Sequence, residues 1–136
     1  MVKSWPVPNA IFLQAAVAVC GLVPVGAGLA GMLLGPQMMP GPETTVSLDS
    51  HFRYLSGLLL GIGLAFWSLI PGIAEQGRAF RLLTFLVVVG GLGRLIALAV
   101  VGAPSAPMLF GLGMELVVTP SLCLWQARVA ARAEAG

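Results

Sequence analysis

A bundle of four membrane-spanning α-helices is the fold that this sequence of 136 residues predicts, and three observations predict it. Hydrophobic residues make up 58% of the chain and charged ones 9%. A soluble domain carries about 25% charged residues, so this chain has roughly a third of the charge that a water-facing surface needs. The apolar residues fall in four long continuous runs, where a membrane β-barrel would show short segments of strict alternation. At about 20 residues per span, the length accommodates four spans and leaves little chain for a domain outside the bilayer. The same composition excludes a soluble enzyme, a nucleic-acid binder and a disulfide-stapled secreted module. A net charge of +2 is too small a total to indicate a partner.

The first span is predicted over residues 10–35, inside a stretch from 4 to 42 that holds no charged residue. It is too long for the apolar region of a signal peptide, about 7 to 15 residues, and reads as an uncleaved anchor. The second span is predicted over 54–74, starting just after Arg53, which sits at headgroup level. The third covers 82–101 and is apolar except for Arg94; the fourth covers 106–126 and is apolar except for Glu115. Small residues recur at turn spacing, as Ala27, Gly31 and Gly35 in span one and as Gly57, Gly61, Ala65 and Ser68 in span two. Such stripes let helix backbones approach, which matters in lipid because no hydrophobic force drives helices together. Pro24 and Pro120 lie inside spans and are expected to kink them, Pro120 freeing the carbonyl of Leu116.

The connections alternate between two sides. Lys3, Arg78, Arg81, Arg128 and Arg132 fall on one side and Arg53 alone on the other, so both termini are predicted to be cytoplasmic. Trp5, Trp67 and Trp125 fall near the cytoplasmic ends of their spans, as an aromatic belt would place them. The loop of residues 36–53 is then outside, and its Pro-rich start, 35–43, is predicted not to be helical.

Two polar constellations stand out. Arg94 lies eight residues before Gly102 and Glu115 nine after Ala106, so in a hairpin turning near Pro104 both reach about 12 to 13 Å from the outer end. They are expected to meet. An isolated charge at that depth costs roughly 2.5 to 3.5 kcal/mol on insertion scales, and pairing lowers the cost. The pair reads either as a structural clamp between spans three and four or as a ligand or proton site open to the outside. The second constellation is Asp49, His51 and Arg53 at the outer mouth of span two. Asp49 reads as a helix N-cap or as part of a site, and Arg53, at the interface, as the member that the fold needs least. His51 is the only histidine and nothing completes a metal set around it, so no metal is expected. Cys20 and Cys123 form no Cys-x-x-Cys pair, which speaks against a disulfide oxidoreductase. One histidine excludes bis-histidine haem, the Gly-rich segments lie inside spans where no phosphate loop belongs, and no catalytic set or cofactor is expected.

The run Asp49-Ser50-His51-Phe52-Arg53-Tyr54-Leu55-Ser56-Gly57, then Gly90-Gly91-Leu92-Gly93-Arg94, then Glu115-Leu116-Val117 and Trp125-Gln126, resembles a bacterial membrane family known as domain of unknown function 4345. The resemblance covers most of the chain from Asp49 onward. It implies a four-helical membrane protein related to the DoxX-like group, with motif polar residues at Asp49, Arg53, Arg94 and Glu115, and it implies no activity. The cysteine redox pattern of some DoxX-like proteins is absent, so their chemistry does not transfer.

Two functions compete. The chain is expected to be a non-catalytic protein of the bacterial inner membrane, an accessory subunit or a binder of a lipid or quinone-like molecule. Its ligand, with an anionic or carbonyl head, would sit in an outward cleft formed by Arg53, Arg94 and Glu115. The alternative is an oligomeric proton-coupled transporter of small molecules that uses Glu115, against which the neighbouring Arg94 opposes proton exchange. Expected partners are membrane lipid and either a larger membrane complex or further copies of the chain, and not nucleic acid.

Overall fold

The computed structural model describes residues 8–39, 41 and 43–136, and among them there are helices and turns but no strand. In order they form α1 (Pro8–Leu34), a single 3-10 turn (Gly35–Met38), α2 (Val46–Ser68), α3 (Gly77–Val101) and α4 (Ala106–Gly113). A π-helical turn (Met114–Val118) joins α4 to α5 (Thr119–Ala135), so the last helical rod is continuous from 106 to 135. The chain divides into two compact units. One holds residues 17–68, and the other holds the chain up to Ala16 together with residues 69–136. Lys3 and Trp5, which the topology argument uses, lie outside the described residues.

Three helical stretches are long and apolar enough to cross a bilayer: Asn9–Met38, Gly77–Val101 and Ala106–Ala135. Large apolar side chains stand exposed along them, among them Leu33, Phe85, Ile96 and Leu124. A contiguous apolar exterior of that kind is unstable in water and suited to hydrocarbon, where helices satisfy their own backbone groups.

The sequence predicts four spans, and the helix of the second, α2, is not among these three; it is also displaced from its predicted bounds. The helix starts at Val46 and stops at Ser68, and residues 69–75 form turns where the sequence suggested helix through Ala74. Pro71 is the cause: it disfavours the helical conformation for Ile70 and cannot donate to a preceding carbonyl, and Gly72 follows it. The Glu75 N–H closes the turn on Gly72 O at 2.9 Å. The earlier start has its own cap, since Thr45 Oγ1 accepts the Leu48 N–H at 3.2 Å. Asp49 is therefore not the N-cap, and it sits inside the first turn of α2. The Pro-rich connection also departs from expectation, because Gly35–Met38 makes a 3-10 turn with Pro36 at its start, where no N–H is required.

In the unit of residues 17–68, α1 and α2 lie backbone against backbone. A Cβ on Gly28 would stand 2.5 Å from Leu60 N and 2.7 Å from Ser56 O, so only glycine allows this approach. Trp67 Nε1 donates to Ala18 O at 3.2 Å across the same pair.

In the other unit, Leu13, Ile73, Phe80 and Val129 are essentially inaccessible, and Gln126 is buried completely beside them. Two glutamine amides hold the turn at 69–75: Gln14 Nε2 donates to Ile70 O at 2.7 Å and Gln126 Nε2 to Ile73 O at 2.9 Å. Carbonyls that leave a helix in an apolar setting need such donors. Further along α3, a Cβ on Gly91 would stand 2.7 Å from Leu116 Cδ2 and 2.9 Å from Glu115 Cβ, so Gly91 sets how closely α3 meets the π-turn.

Candidate functional site

The five candidate residues fall into the two units, Asp49, His51 and Arg53 in one, Arg94 and Glu115 in the other. Each unit has its own polar arrangement.

Arg94 comes from the C-terminal half of α3 and Glu115 from the π-turn, and they meet across the hairpin whose turn contains Pro104. Arg94 Nε stands 3.0 Å from Glu115 Oε1. The π-turn explains the local geometry. Pro120 has no N–H and its ring would collide with the Leu116 carbonyl in a regular α-turn; widening the preceding turn relieves the collision. The Thr119 hydroxyl donates to Met114 O at 2.8 Å and the Ser121 hydroxyl to Val117 O at 2.6 Å, so carbonyls near the irregularity keep partners. Glu115 thus occupies the widest turn of its rod, facing α3.

The pair is asymmetric in how it is satisfied. Glu115 uses Oε1 for Arg94, while Oε2 is buried and has no hydrogen-bond partner. Arg94 spends Nε on the carboxylate and Nη1 on the Met108 thioether, 3.4 Å away, and Nη2 has no hydrogen-bond partner among the described residues. A thioether sulfur is a weak acceptor. Two terminal nitrogens of a guanidinium are therefore poorly used. Beside them lies a cavity of about 370 Å³, lined by Arg94, Leu98, Val101, Met108 and Leu112 and by the turn at residues 102–104. Its lining side chains are apolar apart from the guanidinium.

The other arrangement is a helix cap. Arg53 Nη1 donates to Met32 O at 2.6 Å and to Leu33 O at 3.1 Å, two carbonyls in the last turn of α1. Arg53 Nε donates to Asp49 Oδ1 at 2.7 Å, one turn earlier on α2. Gly35, with φ of +70°, ends α1 in the left-handed conformation; a Cβ there would stand 2.6 Å from Arg53 Nη2 and 2.9 Å from Asp49 Oδ2. A cation on unsatisfied C-terminal carbonyls also meets the negative end of the helix dipole. Arg53 is thus fixed by the fold, contrary to the expectation that the fold needs it least, and Asp49 orients it. His51 is exposed and borders a shallow open groove with Ser47, Ser50 and Tyr54. No group of three or more His, Cys, Asp or Glu side chains comes together among the described residues.

The sequence reasoning misses the roles of three residues of consequence, Met108, Gln14 and Gln126, although Gln126 belongs to the family motif. Met108 looks like any apolar wall residue until Arg94 is seen to point at its sulfur. The glutamines carry a signal, since an uncharged amide inside a long apolar run demands a partner, but nothing local says which carbonyl it serves.

Helical rods long and apolar enough to cross a bilayer, with an arginine–glutamate pair held between two of them, define a small all-helical protein of membrane character. The family model described as Domain of unknown function (DUF4345) matches residues 12–126, and the chain belongs to that family. No curated protein and no solved structure matches it.

Proposed function

We propose that the chain is a non-catalytic, multi-pass protein of a bacterial cytoplasmic membrane, of DoxX-like kinship, that binds a lipid or quinone-like molecule beside Arg94, as a subunit of a larger complex or with further copies of itself. The cavity at Arg94 carries the proposal. It pairs apolar walls with a guanidinium that keeps donors in reserve, and its volume of about 370 Å³ falls within the ordinary range for small-molecule pockets, roughly 300 to 1,000 Å³. The site is reduced from the cleft that the sequence suggested, because Arg53 is committed to Asp49 and the end of α1. With both termini cytoplasmic, the mouth at residues 102–104 opens outward.

The test is purification in native nanodiscs followed by mass spectrometry of bound small molecules, for the wild type and for the double variant Arg94→Leu/Glu115→Leu. Replacing both partners by apolar residues leaves no buried charge unpaired and preserves the fold. The expected result is a specific amphiphile on the wild type that is lost from the double variant; equal retention by both rejects the proposal.

A second reading has one observation in its favour. Glu115 Oε2 is buried without a partner, which suits a carboxylate that exchanges a proton in a coupled transporter. Proton flux through proteoliposomes that depends on Glu115 would favour transport over binding.

A further inference from the structure

We propose that the occupant of the Arg94 cavity is an uncharged amphiphile with a carbonyl at its very end, of the quinone type, and that the Met108 sulfur holds the place of that carbonyl oxygen until it arrives. This rests on the binding function proposed above and names the chemistry of its ligand.

Charge decides the first part. Arg94 and Glu115 together are neutral, and the excess positive charge that would draw an anion depended on Arg53, whose guanidinium is taken up by Asp49 and by two carbonyls of α1. An anion entering the cavity would leave a net negative charge at a depth of about 12 Å below the hairpin end, eight residues along α3 from Gly102. A neutral oxygen acceptor adds no charge there and still receives a charge-assisted hydrogen bond. Depth decides the second part. A phospholipid ester that reached Arg94 would drag its phosphate into the hydrocarbon, whereas a ring bearing a terminal carbonyl carries nothing charged behind it.

Met108 follows from the hydrogen-bond inventory. Arg94 Nη1 meets Met108 Sδ at 3.4 Å, and Met108 itself lines the cavity. Sulfur is the poorest acceptor that the guanidinium could be given, so a carbonyl oxygen displaces it at small cost. Met108 is then a specificity-determining residue that competes with the ligand. Leucine has nearly the same volume and no acceptor.

The experiment measures saturable binding of decylbenzoquinone and of decanoate to the whole protein in phosphatidylcholine nanodiscs at neutral pH. The bilayer's own ester carbonyls are present throughout as competitors in large excess. The quinone should bind saturably, decanoate about tenfold or more weakly, and Met108→Leu should tighten the quinone about two- to threefold, the value of one weak hydrogen bond no longer broken on entry. Arg94→Leu/Glu115→Leu should abolish saturable binding. Decanoate bound as tightly as the quinone, no saturable quinone binding over the lipid background, or weaker quinone binding in Met108→Leu would each overturn the inference. An amphiphile of another class that co-purifies in an Arg94-dependent way would leave the binding function standing and sink only this account of the ligand.

Discussion

At the scale of single residues, Arg53 and Arg94 show how the partners of an arginine determine its role. Arg53 gives its donors to two carbonyls at the end of α1 and to Asp49. Hydrogen bonds from a charged group are worth roughly 1.5 to 3 kcal/mol, whereas a part-exposed pair four residues apart on one helix is worth about 0.3 to 0.5 kcal/mol. The carbonyl bonds therefore dominate. Arg53→Gln should lower stability by about 1.5 to 3 kcal/mol and Asp49→Asn by about 0.5 kcal/mol or less, read from reversible unfolding in detergent. Equal losses in the two variants would mean that the ion pair, and not the cap, is what Arg53 supplies. For Arg94 and Glu115 the logic is reversed, since neither has another strong partner. Each single change to Leu should cost about 3 to 5 kcal/mol by stranding a charge, and the double change should cost less than the sum. Simple addition in the double-mutant cycle would rule out the 3.0 Å contact.

At the scale of elements, three prolines have three different consequences. Pro24 lies inside α1, which continues past it without interruption. Pro71 ends α2 at a turn that Gln14 and Gln126 then hold, and Pro120 is absorbed by the π-turn of five residues before it. An extra residue in one turn rotates everything on its N-terminal side, which is how Glu115 and the α4 wall of the cavity acquire their facing. Pro120→Ala restores the missing N–H and removes the ring, so the turn should close to a regular α-helix and Glu115 should swing away from Arg94. The coupling energy between Arg94 and Glu115, measured again in the Pro120→Ala background, should shrink. A coupling unchanged from wild type would show that the π-turn is held by Thr119 and its neighbours without help from the proline.

At the scale of the whole molecule, the question is which way the helices face across a bilayer. Five Lys or Arg residues on one side against one on the other predict both termini in the cytoplasm for the proposed membrane protein. Single cysteines at Met39 and Ala133, introduced after Cys20 and Cys123 are replaced, give the check with an impermeant thiol reagent on intact cells. Met39 should label and Ala133 should not; the opposite pattern inverts the topology.

The helical class and the meeting of Arg94 with Glu115 were legible in the sequence because both follow from counting. A chain so poor in charge favours a hydrocarbon environment, where the backbone satisfies itself best as helix, and a rise of about 1.5 Å per residue fixes which residues share a depth across a short turn. Membership of the family was legible as well, in the motif residues from Asp49 to Gln126. The end of α2 was hidden by its own composition, since Leu69, Ile70 and Ile73 are as apolar as any span, although Pro71 and Gly72 were in plain view. The rest was decided by tertiary structure. Arg53 finds carbonyls 20 and 21 residues away, Gln126 one that is 53 away and Gln14 one that is 56 away. The acceptor that a long polar side chain reaches depends on where another helix happens to end, and no pattern local to that side chain encodes the position. The Met108 sulfur and the cavity beside it arise in the same way, from the facing that the π-turn gives to α4, so the sequence could supply the charge pair but not the space next to it.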